Sequence, residues 1–480
     1  MIDLIDWTPR LYPSLTILEG RFVRLEPLNK TKHAEGVCQM CLSEDAHERF
    51  RYFGSYPPKS EEEELAWLKK AEKKKLIYVI IDKIREDVVG TIEFYNPVLE
   101  NGTIEIFVYF SKMIAKKSGA TEALYLIGSF IFDELKYRRL EWCTDNRNEA
   151  SKNAATRFGF VYETLHPQNR INKKEIIDIA CFSIIDKDWS IIKKSCEKWL
   201  ENQNFDENGN QKERLSEIRR KIEISSNFFI QAIDPPPPVL SSQESDINAK
   251  AFDLVNWTDR NLPSHTIMEG KYVRLEPLSI EKHGDALFEI VSQEKQRLDY
   301  LPECPPKDRD QFQQWLIMAE SSQDPLYFTI IDKATGKVAG RQALSRIRPN
   351  HGVIEMGHVL WSSLIARKPA ATEACYLLAK HVFDNFSYHR FEWKCDTRNQ
   401  ASKNSALRFG FEYEGSFRQF RVRKGQNSSV FWFAMLSKNW PVIKQAFEEW
   451  LALENFDENG QQKRKLADVR KEIQSKNLKN

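Results

Sequence analysis

Long apolar runs, a surplus of one charge and a cysteine framework are all missing from this chain. No stretch approaches the ~20 consecutive apolar residues that a membrane helix needs, so no membrane partner is expected. The 71 Lys and Arg nearly balance the 69 Asp and Glu, for a net charge of +2. That balance argues against capture of nucleic acid or lipid by bulk charge. Eight cysteines occur in 480 residues, without the even spacing of a disulfide-stapled domain. The opening residues, MIDLIDWTPR, carry acids and no apolar segment of a secretory signal. A reducing cytoplasm is therefore the expected setting. Cys38 and Cys41 form a C-x-x-C with no second pair behind it, which reads as a helix face and not as a metal site. Neither G-x-x-x-x-G-K-[ST] nor G-x-G-x-x-G is present, so P-loop and dinucleotide readings lack support.

What the chain does have, it has twice. Asn148 to Phe160 (NEASKNAATRFGF) returns as Asn399 to Phe411 (NQASKNSALRFGF), an offset of 251 residues. Thr121 to Leu126 (TEALYL) returns as Thr372 to Leu377 (TEACYL), and Asn204 to Arg219 as Asn455 to Arg470. Near the start, Gly20 to Leu28 (GRFVRLEPL) recurs as Gly270 to Leu278 (GKYVRLEPL), at an offset of 250. Solenoid units are far shorter, ~20–50 residues. The repeat is a whole domain, and the chain is a tandem duplication. A first domain is expected over 1–224 and a second over 251–480. Between them, residues 225–250 carry Asp234-Pro235-Pro236-Pro237-Pro238 and a polar Ser/Gln run, a stiff tether that leaves the domains free to dock on each other.

Each copy reads as α/β. In copy two, Leu326 to Asp332 and Lys337 to Leu344 flank the turn residues Lys333-Ala334-Thr335-Gly336, which predicts a hairpin. A strand over Val353 to Trp361 leads through a loop into an apolar helix over Thr372 to Phe386. A strand over Arg390 to Cys395 precedes a helix from about Gln400 to Arg408, with Gly410 suited to its left-handed end. Short strands are expected around Phe411 to Glu414 and Val430 to Leu436. An amphipathic helix over Trp440 to Leu453 follows. Strands interrupted by helices imply a mixed sheet covered on its faces.

Two stretches carry chemistry. The loop Ala366-Arg367-Lys368-Pro369-Ala370-Ala371-Thr372 opens a helix, where backbone N–H groups lack intrahelical partners and the dipole favours an anion such as pyrophosphate. Arg367 and Lys368 add charge; plain packing explains the small residues equally well. The second stretch, Asp396 to Ser402, follows a strand. Asn399 or Asp396 suits an N-cap, and Ser402 in the first turn can reach a ligand at the strand ends. Copy one keeps Asp145, Asn148 and Ser151.

The element order, the basic small-residue loop before a T-E-A helix, and N-x-x-S leading into A-x-R-F-G-F resemble the Gcn5-related N-acetyltransferase (GNAT) superfamily. The nearest likeness is to its ribosomal-protein N-terminal acetyltransferase branch, over roughly Gly20 to Asp188 and Gly270 to Lys438. The resemblance implies two GNAT-like acyl-CoA N-acyltransferase folds in tandem, with acetyl-CoA as co-substrate and no metal. The acceptor it implies is a primary amine, on a small molecule or a protein N-terminus, attacking directly in a ternary complex. The pyrophosphate loop then falls on Arg367, Lys368, Ala370, Ala371 and Thr372, with Pro369 at a glycine position and without an N–H. In copy one it falls on Lys116, Lys117, Ser118, Gly119, Ala120 and Thr121, which keep every amide. Asn399 and Asn148 join the cofactor site. Glu355 and Glu105 are the implied proton acceptors, through water; the alternatives are a surface salt bridge for Glu355 and His358 as base in copy two. Ser402 and Ser151 are the implied donors to the departing thiolate. Copy two keeps Gly357 where copy one has a strand one residue shorter containing Phe107, so copy two is expected to hold the better active site. The basic hairpin Phe417 to Gly425 is expected to shape its acceptor pocket. The rival reading is a non-catalytic acyl-CoA-binding or scaffolding protein.

Overall fold

The computed structural model describes residues 4, 6–207, 210–233 and 257–477. The expected linker lies, from residue 234 onward, outside the described residues. The chain divides into two compact units. The first takes in Met1–Pro167, Asn172–Phe252 and Ser416–Ser429; the second takes in Gln168–Ile171, Asp253–Gly415 and Val430–Asn480.

In the second unit the strands run Met268–Glu269, Val273–Pro277, Leu326–Asp332, Val338–Arg348, Val353–Trp361, Arg390–Asp396 and the part of Gln426–Leu436 from Val430 on, in that sheet order. All neighbours are antiparallel except Val353–Trp361 beside Arg390–Asp396, which is parallel. A parallel pair needs a crossover, and the helix Pro369–Lys380 supplies it. Two apolar clusters flank the sheet. One gathers Leu344, Ile354, Leu378, Phe433 and Phe447; the other gathers Leu287, Leu316, Tyr327 and Leu360. The first unit repeats the order, with Thr103–Phe110 parallel to Arg139–Asp145 and clusters around Ile104, Ile127, Phe182 and around Val37, Leu68, Val79. Both units are thus α/β with a mixed sheet covered on two faces. Cys38 and Cys41 lie buried in the helix Lys30–Cys41. Among the described residues no group of His, Cys, Asp or Glu could hold a metal ion, and no helix is long and apolar enough to cross a membrane.

The repeated motifs hold the fold together. Glu373 of the T-E-A segment accepts the N–H groups of Lys271 (2.7 Å), Tyr272 (2.5 Å) and Val273 (2.8 Å). Glu122 does the same for Arg21, Phe22 and Val23. A Cβ on Gly270 would sit 2.5 Å from that carboxylate, so the glycine and the glutamate recur together. Thr372 Oγ1 accepts from Arg408 and Thr121 Oγ1 from Arg157, each at 2.9 Å, which locks the crossover helix to the R-F-G-F helix. Gly410 ends Gln400–Phe409 at φ 97°, the left-handed conformation expected of it.

Two elements differ from expectation. The Thr372–Phe386 helix is an α-helix only to Lys380; it then widens over His381–Asn385, where Phe386 N–H reaches back five residues to His381 O at 3.3 Å. The last two strands are longer than their apolar runs, Glu412–Arg423 and Gln426–Leu436. Polar side chains such as Arg418 and Ser428 are buried there, so apolar alternation understates the strands.

Candidate functional site

The parallel pair that the crossover creates is where the sheet opens. In the second unit the Val353–Trp361 and Arg390–Asp396 strands pair from Val353↔Arg390 to Met356↔Trp393 and no further. In the first unit pairing runs from Thr103↔Arg139 to Glu105↔Glu141. Beyond those points the two strands of each pair are no longer bridged, and the crossover helix starts a short loop after the first strand ends.

That helix begins without a side-chain cap in both units. In the second unit Ala366 N–H bonds Ser362 O, Lys368 N–H bonds Ile365 O, and Ala371 N–H bonds Lys368 O. Among the described residues the Arg367 and Ala370 amides find no backbone acceptor. In the first unit the corresponding open amides are those of Lys116, Ser118 and Gly119. Pro369 sits in the first helical turn, where its missing N–H breaks no helical bond. Arg367 and Lys116 both adopt φ 64°, and with Lys368 and Lys117 their side chains are exposed around the helix head. Open amides, positive charge and small residues fit an oxyanion-rich diphosphate. Packing also claims some of this set. Ala370 belongs to the apolar core, Ala120 and Ala371 are buried, and a Cβ on Gly119 would meet Val23 Cγ1 at 2.9 Å.

The N-x-x-S segments have matching geometry. Asn399 Oδ1 accepts Ser402 N–H at 3.0 Å and Asn148 Oδ1 accepts Ser151 N–H at 3.1 Å, so both asparagines are N-caps. Trp393 Nε1 donates to Ser402 Oγ at 3.0 Å, and Trp142 Nε1 to Ser151 Oγ at 2.9 Å. The serines therefore stand beside the tryptophans that mark the opening of the sheet.

Glu355 is buried in the second unit and lies 2.5 Å from Lys394 Nζ. Lys394 sits over the Trp432 ring at 3.6 Å. Burial, with the nearby Arg346 charge, pushes its ammonium down to about 7 despite Glu355 and Glu392. In the first unit Cys143 and Cys181 stand opposite each other at the positions of Lys394 and Trp432, and Glu105 accepts from Asn96 at 3.4 Å.

The units differ most in the strand beside the gap. In the second, Ala343 pairs with Gly357 and Arg341 with Leu360, a bulge that inserts one extra residue around His358, whose φ is 53°. In the first, the pairing Glu93↔Phe107, Ile92↔Val108, Thr91↔Tyr109 is unbroken. The one-residue difference between the copies is this bulge.

The bulge assembles a polar cluster that sequence reading missed. His358 Nδ1 lies 3.1 Å from Glu303 Oε1 and 3.2 Å from Tyr327 Oη. Arg341 donates to His358 O at 2.8 Å and sits 3.3 Å from Glu303 Oε1. Burial opposes the Glu303 charge, but Arg341 and His358 together hold its carboxyl well below the usual range. Comparing copies was the available signal, because all four residues are replaced in copy one. The Y-P-P-K-S and C-P-P-K-D segments put Ser55 at Glu303, and the registers put Ile77 at Tyr327 and Thr91 at Arg341. In their place the first unit packs aromatic rings, with Phe53 4.7 Å from Phe107 and 5.7 Å from Tyr109.

The basic hairpin does not supply an open acceptor surface at Arg418. Ser416–Ser429 belongs to the first unit, where Arg418 is buried against Glu163 (3.0 Å) and Asp188 (2.6 Å).

The family model described as an acetyltransferase (GNAT) domain matches residues 23–161 and again 273–412. Among solved structures, a GCN5-related N-acetyltransferase from Brucella melitensis is 53% identical over 45% of this chain and 99% of its own, with a TM-score of 0.44. A GNAT-family protein from Chromobacterium violaceum is 33% identical over 44% of this chain and 98% of its own, at 0.37. An acetyl transferase of Salmonella typhimurium that modifies the N-terminal serine of ribosomal protein L7/L12 is 20% identical over 36% and 99%, at 0.32. No match was found among curated proteins.

Proposed function

The chain belongs to the GNAT acetyltransferase family, and from that premise we propose that its second unit moves an acetyl group from acetyl-CoA to a primary amine by direct attack in a ternary complex. The observation that carries this reading is the sheet opening after Met356 and Trp393, headed by the uncapped helix start at Pro369. Acetyl-CoA supplies the activated thioester. The Arg367 and Ala370 amides, with the Arg367 and Lys368 charges, hold the diphosphate, and the gap receives the thioester arm. Ser402, kept in place by Trp393, donates a hydrogen bond to the leaving sulfur. Glu355 or His358 takes the ammonium proton. The acceptor is an amine on a small molecule or a protein N-terminus.

The first unit fits the second reading, an acyl-CoA-binding module without turnover. Its helix start keeps Ser118 and Gly119 with free amides, yet its strand has no bulge and Phe107 stands beside the gap. Calorimetry with acetyl-CoA on the full chain, paired with free-thiol release across a panel of amines, tests both. Two binding sites and turnover abolished only by changes in the second unit are expected. Failure to bind acetyl-CoA would refute the proposal.

A further inference from the structure

Glu355 and His358 are alternatives in the proposed reaction, and their surroundings separate them. Glu355 is committed to Lys394 at 2.5 Å, with Arg346 3.8 Å away. Its Oε2 is already engaged by that buried nitrogen, which leaves it less open to a substrate ammonium. His358 has the opposite arrangement. Its Nδ1 faces Glu303 and Tyr327, whereas its Nε2 has no partner among the described residues. An imidazole oriented by a carboxylate on one nitrogen and open on the other is the usual form of a general base.

We propose that His358 and Glu303 form the proton-accepting dyad of the second unit, with Tyr327 and Arg341 positioning it. The inference rests on the acetyltransferase reading above and names the base within it.

Three observations on separate elements support the dyad. The bulge places His358 two residues past Met356, the last residue paired with the parallel strand, where the two strands part. Glu303 comes from a loop 55 residues earlier, and its Oε2 is buried with no hydrogen-bond partner among the described residues. A buried acceptor left unpaired is unfavourable, and a substrate ammonium would satisfy it. Finally, Glu303, Tyr327, Arg341 and the bulge are absent from the first unit as a set.

The charged and titratable groups facing His358 are Glu303 from the loop, Arg341 from the adjacent strand and Tyr327 from the next. Arg341 and Glu303 balance each other, and Glu303 Oε1 orients the imidazole through Nδ1. In the reaction, Nε2 takes one proton from the ammonium. The freed lone pair forms the N–C bond to the thioester carbonyl, and the C–S bond breaks with its electron pair on sulfur. The second ammonium proton reaches that thiolate by way of Ser402, and the imidazolium returns its proton to water.

The test uses the full chain with H358A and E303Q, a panel of one alkylamine, one free amino acid and one short peptide, and thiol release as the readout. H358A is expected to lose ~10²–10⁴-fold in kcat while calorimetry shows acetyl-CoA binding unchanged. Added imidazole should restore part of the rate to H358A, which no structural role for His358 would produce. E303Q should lose less and alter the acid side of the pH–rate profile. Wild-type kcat in H358A, or a loss that imidazole does not restore, would overturn the dyad while leaving the acetyltransferase reading intact. A wild-type chain that binds acetyl-CoA but acetylates none of the panel would remove both.

Discussion

Trp393 Nε1 donates to Ser402 Oγ at 3.0 Å, and Trp142 repeats the contact on Ser151 at 2.9 Å. An indole N–H only donates, so each serine keeps its own proton for a third group. In the second unit that group is the leaving sulfur of the proposed reaction. Ser402→Ala is expected to lower kcat by ~10²–10⁴ with little change in KM for acetyl-CoA, whereas Ser151→Ala leaves turnover near wild type. Steady-state thiol release on the full chain measures both. Equal losses would contradict the assignment of turnover to the second unit.

The bulge gives a second prediction. A Cβ on Gly357 would already meet Ser345 Oγ at 2.9 Å, and an aromatic ring there would imitate Phe107 of the first unit. Gly357→Phe is expected to abolish turnover while the diphosphate grip survives. Calorimetry should therefore still record acetyl-CoA binding with the stoichiometry of the wild type. Unimpaired turnover in this variant would mean that the strand beside the gap does not govern the chemistry.

Much of this was legible from the repeat, because local signals are short-range. Asn399 before Ser402 marks a cap, Gly410 marks a left-handed stop, and the apolar run after Pro369 marks a buried helix; each depends on a few neighbouring residues. Glu373 was legible only as a motif letter, since its three N–H partners lie about a hundred residues away. The His358 cluster was hidden for the same reason. Glu303, Tyr327 and Arg341 sit on three segments that no local periodicity connects, and only pairing across the sheet brings them to one imidazole. The extra residue at the bulge was visible as a shift in repeat offset, yet its effect on side-chain placement needed the register.

Glu373 and Glu122 allow a stability prediction independent of catalysis. Each buried carboxylate accepts three main-chain N–H groups, and hydrogen bonds to charged groups are each worth ~1.5–3 kcal/mol. Removing one acceptor strands several donors at once. Glu373→Ala is expected to destabilise the chain by about 3–5 kcal/mol. Glu281→Ala, at an exposed position in the helix Ile280–Gln293, should stay within about 0.5 kcal/mol. Urea unfolding of the full-length variants compares them; a Glu373→Ala transition that overlays the wild type would rule out the clamp.

Lys394 predicts a pH dependence of stability. Burial and the Arg346 charge outweigh the attraction of Glu355 and Glu392, which lowers the folded-state value from 10.5 to about 7. Below about 7 both the folded and the unfolded chain carry the proton, and the penalty for burying the ammonium applies in full. Between about 7 and 10.5 the unfolded chain holds a proton that the folded chain has released, so stability rises with pH through that window. Above it both states are neutral and the contribution is level. The rise is on the order of a few kcal/mol. Lys394→Met alone would leave Glu355 buried without its partner, so the informative variant is Lys394→Met with Glu355→Gln, which removes both charges. Across pH 7 to 10, unfolding midpoints of the wild type should climb relative to that double variant. Parallel curves would show that Lys394 keeps its proton in the folded chain and that Glu355 is paired with a full ammonium throughout.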